Sequence, residues 1–111
     1  MIPYEERKAV YEAAIAHYGE DSQIWVAVEE MAELMKELAK EHRPSGTTLE
    51  ALVDEIADVT IMMEQLRLIF NINDAVQHRM DYKIKRLLNR IKEAKRNDTA
   101  DQTDSEADRD S

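Results

Sequence analysis

The chain has 111 residues and a mass of 12.9 kDa, the size of one small domain, which excludes a multidomain enzyme with separate cofactor and substrate lobes. It contains only 2 glycines and 2 prolines, too few for the turns of a β-sandwich or for a glycine-rich phosphate loop. The absence of cysteine excludes disulfides, thiolate zinc sites and cysteine nucleophiles. Composition therefore predicts an all-α protein.

The net charge of −9 is distributed unevenly along the chain. Residues 1–72 carry six basic and fifteen acidic residues, whereas residues 73–96 carry eight basic and three acidic residues. Residues 97–111 hold six acids, one Arg and almost no apolar surface, so they cannot offset their ordering entropy by burial. We predict a helical domain over residues 1–96 and an acidic disordered tail over residues 97–111.

The N-terminal segment, MIPYEERKAV, lacks the apolar run of a signal peptide. No other stretch approaches the roughly 20 apolar residues of a membrane span. We therefore expect a cytoplasmic protein with neither a membrane nor a nucleic acid as its partner.

Apolar periodicity predicts four helices, of which the first two precede Pro44. The first runs from about Tyr4 to Tyr18 and ends near Gly19. The second begins after a cap at Asp21 or Ser22 and reaches about Arg43.

The third predicted helix follows Gly46, where Thr47 and Glu50 resemble a capping box, and it reaches about Phe70. Asn73 is the expected cap of the fourth helix, which fades near Arg96. Because short connections between long helices favour antiparallel neighbours, the pattern predicts a four-helix up-and-down bundle.

The second helix divides into an apolar arc and an acidic arc at 100° per residue. The apolar arc, predicted to be core, consists of Ile24, Ala27, Val28, Met31, Leu34, Met35 and Leu38. The polar arc consists of Gln23, Glu30, Glu33 and Glu37. Taken alone, the acids are typical of a solvated face with ion pairs to Lys36, Lys40 and Arg43.

Two acids of the third helix are placed differently from ordinary surface acids. The helix has a wide apolar face formed by Leu52, Ile56, Val59, Met62, Met63, Leu66, Ile69 and Phe70. Glu55 and Asp58 project into this predicted buried face, whereas Glu50, Asp54 and Glu64 are expected to point to solvent. Burying an unpaired carboxylate costs several kcal/mol, so Glu55 and Asp58 require cations or a metal.

The fourth helix carries a basic stripe beside an apolar stripe. The basic residues are Arg79, Lys83, Arg86 and Arg90, and the apolar residues are Val76, Met80, Ile84, Leu87 and Ile91. Two interpretations stay open. The bases neutralise the acids of the second and third helices, or they hold phosphates while those acids hold divalent cations.

Four carboxylates in two pairs spaced at i and i+3 suit hard Mg²⁺ or Mn²⁺: Glu30, Glu33, Glu55 and Asp58. Zinc is disfavoured, and the Glu-x-x-His pairs of ferritin-type di-iron sites are missing. The three histidines are expected at the surface: His17, His42 and His78. The chemistry that remains is metal-assisted attack of water. Acidic pairs at this spacing also arise from composition, so placement and surrounding sequence must decide.

The surrounding sequence resembles a known family. The stretches QIWVAVEEMAELMKELAKEHR and LVDEIADVTIMMEQLRLIF resemble the MazG-like branch of the all-α NTP pyrophosphatases. That family has Glu-x-x-Glu on one helix, matched by Glu30 and Glu33, and Glu-x-x-Asp on the next, matched by Glu55 and Asp58. The resemblance covers about residues 19–88.

A downstream family element, Asn-x-Lys-x-x-Arg, is matched in part. Lys83 and Arg86 occupy the basic positions, and Asp81 stands where Asn is usual. The resemblance implies an oligomeric, dimeric or tetrameric, Mg²⁺-dependent hydrolase that cleaves nucleoside triphosphates between the α and β phosphates. It implies four metal ligands in the two acidic motifs and a triphosphate clamp at Lys83 and Arg86.

Gln23 and Trp25, which both precede the first motif, are candidates for contact with the nucleobase. The alternative role for Gln23 is a glutamine in the capping turn of the helix, and the alternative role for Trp25 is a tryptophan of the core. At the level of function, a non-catalytic helical interaction module stays open, as does a hydrolase specific for dUTP or phosphoribosyl-ATP.

Overall fold

The computed structural model describes the backbone of residues 1–110 and the side chains of residues 1–100. Within this range the regular elements are four α-helices without a strand, which confirms the predicted all-α class. They are α1 (Tyr4–Tyr18), α2 (Glu20–Lys40), α3 (Leu49–Ile69) and α4 (Asn73–Asp110). In this part of the chain, no helix combines the length and the apolar character that crossing a membrane requires.

The turn from α1 to α2 is made by Gly19 alone. Its φ of 94° is open to glycine, and its N–H donates to the carbonyl of Ile15 at 2.8 Å. Because one residue completes the turn, α2 begins at Glu20, and the predicted cap at Asp21 or Ser22 is wrong. Glu20 and Asp21 instead lie in the first helical turn, where acids interact favourably with the helix dipole.

The connection from α2 to α3 also differs in detail from its prediction. Helix α2 ends at Lys40 rather than Arg43, and the chain continues through turns. Thr48, not Thr47, caps α3, since its hydroxyl oxygen accepts a hydrogen bond from the N–H of Ala51 at 3.1 Å. The neighbouring Thr47 is engaged elsewhere, because its hydroxyl donates to a carboxylate oxygen of Glu37.

Helix α3 ends as predicted, with Phe70 as its C-cap. Asn71 adopts a left-handed conformation with φ 54°, and the N–H of Ile72 donates to the carbonyl of Arg67 at 3.0 Å. Helix α4 then continues past Arg96 to Asp110, further than predicted. Residues 97–110 contain neither proline nor glycine, so no residue there interrupts the helical backbone. Side chains 101–111 of the predicted tail lie outside the described residues, and the tail assignment stays a prediction.

The chain forms two compact units, Met1–Asn73 and Asp74–Ser111. In the first unit α2 and α3 pack along each other, and α1 packs against both. The pair is antiparallel, since Gln23 near the start of α2 contacts Gln65 near the end of α3. The second unit consists of α4. The up-and-down arrangement of all four helices stays a prediction.

An ion pair fastens α1 to α3. The Arg7 guanidinium donates to both carboxylate oxygens of Glu64, from Nε at 3.1 Å and from Nη2 at 3.2 Å. Burial raises the pKa of Glu64, but hydrogen bonds from Arg7 and Tyr11 outweigh burial and hold that pKa below its ordinary value. Glu64 was expected to point to solvent, and that prediction is wrong because α1 covers this part of α3.

The buried core is smaller than the apolar arcs predict. Among residues 1–100, the buried apolar residues are Tyr11, Ala27 and Met62. Six members of the predicted core are exposed: Val28, Met35 and Leu38 on α2, and Ile56, Met63 and Phe70 on α3. Helix α1 covers only part of the α2–α3 pair, so the remaining apolar surface faces outward.

Candidate metal centre

Three carboxylates converge where the middle of α2 passes α3. Glu30 of α2 and Glu55 and Asp58 of α3 each place one carboxylate oxygen within 4.8 Å of the other two. On α3 the spacing of three residues puts Glu55 and Asp58 on one face, and the antiparallel packing brings Glu30 opposite them. The structure therefore brings together one residue of the first predicted motif and both residues of the second.

The three carboxylates lie close enough together to perturb one another's protonation. Burial, followed by the charges of Asp58 and Glu55, raises the pKa of Glu30. Burial, followed by the charges of Asp58 and Glu33, raises the pKa of Glu55. The ion pairs of the described residues do not include Glu30, Glu55 or Asp58. The predicted surface ion pairs of this arc are therefore wrong for Glu30, whereas Glu37 does form one with Lys40, at 3.2 Å.

Glu55 holds a polar atom that the protein does not satisfy. Its Oε2 is sealed from solvent and has no hydrogen-bond partner among the described residues. A buried acceptor left without a donor costs about 1–3 kcal/mol in general, and native structures contain few of them. A bound cation would satisfy this oxygen.

The donor set fits a hard divalent cation. The three groups offer only carboxylate oxygens, the ligands that Mg²⁺ and Mn²⁺ prefer, and they leave positions for water or for phosphate oxygens. Nitrogen ligands are absent from this cluster. All three histidines are exposed, as predicted: His17, His42 and His78.

Two other acids of the α2 arc behave differently from Glu30. Glu33 is exposed and lies outside the group of three, although its charge helps to raise the pKa of Glu30 and of Glu55. Its role as a metal ligand stays a prediction. Glu37 accepts hydrogen bonds from Thr47 and from Lys40, which lower its pKa, so it is engaged in holding the α2–α3 connection.

Asp58 does not lie in the buried face where the sequence placed it. It is exposed, whereas Glu55 is half-buried. The apolar face of α3 is covered only in part, so a residue on its rim stays in contact with solvent. The carboxylate cluster is therefore accessible to solvent at Asp58 and partly shielded from solvent at Glu55.

The two nucleobase candidates differ sharply in environment. Trp25 is 67% exposed, so the alternative of a core tryptophan is wrong. Gln23 is buried and donates from Nε2 to Oε1 of Gln65 at 2.7 Å, and no side chain caps α2, so it is not a capping residue either. Gln65 was missed by the sequence analysis, although its position seven residues after Asp58 puts it near the same face of α3.

Lys83 and Arg86 belong to the second unit. The Arg86 guanidinium lies over the Tyr82 ring, 5.8 Å from its centroid, and Lys83 is exposed. Their role as a phosphate clamp stays a prediction.

Comparisons of the chain with protein-family models, with curated proteins and with solved structures find no match in any of the three. The likeness to MazG-like proteins therefore rests on the two acidic motifs, their apolar flanks and the downstream basic pair.

Proposed function

We propose that this chain is a nucleotide pyrophosphohydrolase that depends on Mg²⁺ or Mn²⁺. It cleaves nucleoside triphosphates, ribo or deoxy, between the α and β phosphates and releases the monophosphate and pyrophosphate. The observation that carries the proposal is the convergence of three carboxylates within 4.8 Å, none of which forms an ion pair with another described residue. The MazG-like spacing of the motifs supplies the reaction class.

In this proposal the metal ligands are Glu30, Glu55 and Asp58, with Glu33 beside them. A bound divalent cation supplies charge neutralisation for the triphosphate and lowers the pKa of a bound water. The half-buried Glu30 and Glu55 fix the inner side of the site, and the exposed Asp58 leaves its outer side open to substrate.

The basic residues of α4 have a complementary task. Lys83 and Arg86 bind the phosphates of the substrate and stabilise the negative charge that builds on the leaving pyrophosphate. Arg86 is suited to bidentate contact with phosphate oxygens, and Lys83 acts as a compact point charge.

The proposal includes a homo-oligomer, at least a dimer. The exposed apolar residues of the α2–α3 pair include Trp25, Val28 and Met35 of α2, and Val53, Ile56 and Met63 of α3. Exposed apolar surface on this scale is typical of protein interfaces. A second copy of the chain is expected to cover it, which also encloses the neighbouring carboxylates.

The oligomer can be tested by light scattering after size-exclusion chromatography. Ile56→Glu is expected to reduce the mass to that of a monomer, whereas Val10→Glu, at an exposed apolar position on α1, leaves the mass unchanged. A monomeric wild type would contradict this part of the proposal.

The activity is tested by Mg²⁺-dependent hydrolysis in matched variants. Glu55→Gln is expected to abolish turnover while the helical circular dichroism is retained. Glu50→Gln removes an exposed acid from the first turn of the same helix and is expected to keep full activity. Full hydrolysis by Glu55→Gln, or by wild type treated with a chelator, would refute the metal mechanism.

A helical interaction module without catalytic activity is the second candidate, favoured by the exposed apolar side of α2 and α3. Under that hypothesis a Glu55→Gln, Asp58→Asn double variant keeps its partner binding, and the wild type hydrolyses no nucleotide. The same experiments therefore separate the two candidates.

A further inference from the structure

A cleft lies between α1 and the end of α3. Its volume is about 370 Å³, and its half-buried apolar floor is formed by Ile15 of α1 and by Leu68 and Ile69 of α3. That volume is near the lower end of the range for ligand pockets, roughly 300–1,000 Å³. The cleft therefore has room for the aliphatic side chains of a docking partner.

The polar residues of the cleft lie on its rim. Glu12, Glu20 and Asn71 are exposed, and the half-buried Lys8 is paired with Glu12 at 4.0 Å. Glu20 takes part in none of the ion pairs of the described residues. Sites for small molecules usually add a few polar groups to an apolar lining. An apolar floor with an unpaired acid at its rim instead favours an apolar surface that carries basic residues.

Helix α4 carries a surface of this kind. Met80, Ile84, Leu88 and Ile91 fall within about 80° of the helix circumference at 100° per residue. Each of them is between 43% and 59% exposed. The exposed Lys95 continues the same stripe one turn beyond Ile91. The α4 stripe therefore offers a partner both apolar side chains and a base.

The distribution of charge indicates which partner α4 takes. Residues 73–96 hold eight basic and three acidic residues, so two such segments side by side would oppose like charges. Residues 1–72 hold fifteen acidic and six basic residues. The acidic first unit of a second copy therefore complements α4 better than a second α4 does.

We propose that α4 of one copy docks in the α1–α3 cleft of a second copy, with Ile84 and Leu88 over the apolar floor and Lys95 beside Glu20. This inference rests on the proposed homo-oligomer and adds to it a contact outside the α2–α3 pair. A few side chains in one cleft bury less than the roughly 1,200–2,000 Å² of a stable interface. The docking therefore strengthens the oligomer and does not replace the contact at Ile56.

The docking leaves the basic stripe of α4 exposed. Arg86 lies about 160° around the helix from both Ile84 and Leu88, on the opposite side of α4. A substitution in the α4 stripe therefore changes association without removing the proposed phosphate clamp, and the two properties are measured separately.

The direct test is cross-linking between engineered thiols, since the full-length chain contains no cysteine. Ala16→Cys places a thiol in the cleft, and Ile84→Cys places one on the α4 stripe. The two variants are mixed and treated with a short thiol-specific cross-linker, and mass spectrometry identifies the copies that are joined. Two exposed positions serve as controls: Asn89→Cys, about 140° around α4 from Ile84, and Val10→Cys on α1, outside the cleft.

The mixed product of Ala16→Cys with Ile84→Cys is expected to dominate. Ala16→Cys with Asn89→Cys, and Val10→Cys with Ile84→Cys, are expected to give little product. A chain that carries both Ala16→Cys and Ile84→Cys is expected to form links between copies. The docking is refuted if Ile84→Cys links mainly to itself, if the double variant links within one chain, or if the control pairs react equally.

Charge reversal tests the same contact without changing the apolar side chains. Glu20→Lys and Lys95→Glu are each expected to raise the dissociation constant of the oligomer roughly 3- to 10-fold at low salt. The two substitutions mixed in complementary copies are expected to restore it. Glu41→Lys reverses an exposed acid outside the cleft and is expected to leave the dissociation constant unchanged. Equal losses in Glu20→Lys and Glu41→Lys would overturn the docking.

The outcomes separate this inference from the proposed hydrolase. An oligomer that hydrolyses triphosphates but gives no mixed product would refute the docking alone. The mixed product in a chain that hydrolyses no triphosphate would support the docking and refute the hydrolase.

Discussion

Replacing Glu30 with Gln is expected to change stability in opposite directions without and with a divalent cation. Carboxylate oxygens of Glu30 and Asp58 lie within 4.8 Å. Two unit charges at that distance repel by about 0.9 kcal/mol in water, and this dielectric applies because Asp58 is exposed. Without metal, Glu30→Gln should therefore be more stable than wild type by about 1 kcal/mol, a rise in Tm of roughly 4–8 °C for a small domain.

With metal the order is expected to reverse. A cation present at 100 times its Kd stabilises the folded wild type by about 2.7 kcal/mol, because it binds only the folded state. Because Glu30→Gln lacks one of the metal ligands, the cation is expected to stabilise this variant less than wild type at the same cation concentration. The assay is urea unfolding of both proteins in chelator and at increasing Mg²⁺ or Mn²⁺, with the free energy of unfolding plotted against cation concentration.

Glu93→Gln is the control for loss of one negative charge, since Glu93 is an exposed residue in the middle of α4. The free energy of unfolding of Glu93→Gln is expected to rise with cation concentration by the same amount as that of wild type. If Glu30→Gln also runs parallel to wild type, the carboxylate cluster does not bind the cation and the reasoning fails.

The remaining expectations concern the basic helix, the ion pair of α1 with α3, and the acidic tail. Lys83→Ala is expected to lower kcat/KM by roughly 10- to 1,000-fold and Lys85→Ala to leave it unchanged; equal losses would indicate diffuse electrostatics. Burial raises the pKa of Glu64, but its hydrogen bonds, foremost that from Arg7, lower it more strongly. The resulting stabilisation is complete above about pH 4.3 and is lost as the pH falls through the lowered pKa. Glu64→Gln should therefore show a smaller fall in Tm on acidification, and an unchanged fall would contradict this assignment. Deleting residues 97–111 is expected to change neither Tm nor activity, and a loss of assembly in size-exclusion chromatography would show that the tail is an interface.

Local sequence signals were sufficient for the number of helices, for the bounds of α1 and for much of the carboxylate cluster. The bounds of α1 follow from Pro3 before it and Gly19 after it, and both are as predicted. The spacing of Glu55 and Asp58 places them together on any helix, so their convergence depends only on α2 passing beside α3. The sequence could not show whether Thr47 or Thr48 caps α3. Thr48 is the cap because the hydroxyl of Thr47 is bonded to Glu37, a residue distant in the sequence.

Features that depend on which helices cover one another could not be predicted. Periodicity shows which residues share an arc, but not whether another helix covers that arc, so Met35 and Ile56 were assigned to the core and are exposed. The bonds of Gln65 with Gln23 and of Glu64 with Arg7 join residues more than 40 positions apart. No local pattern marks such partners.

The products of a nucleotide panel test the central claim most directly. Each nucleoside triphosphate is incubated with the full-length chain and Mg²⁺, and the phosphorus species are identified by ³¹P nuclear magnetic resonance. The account predicts a nucleoside monophosphate and inorganic pyrophosphate in equal amounts, with no reaction in Glu55→Gln. A nucleoside diphosphate with orthophosphate, or no reaction of any nucleotide with wild type, would contradict it.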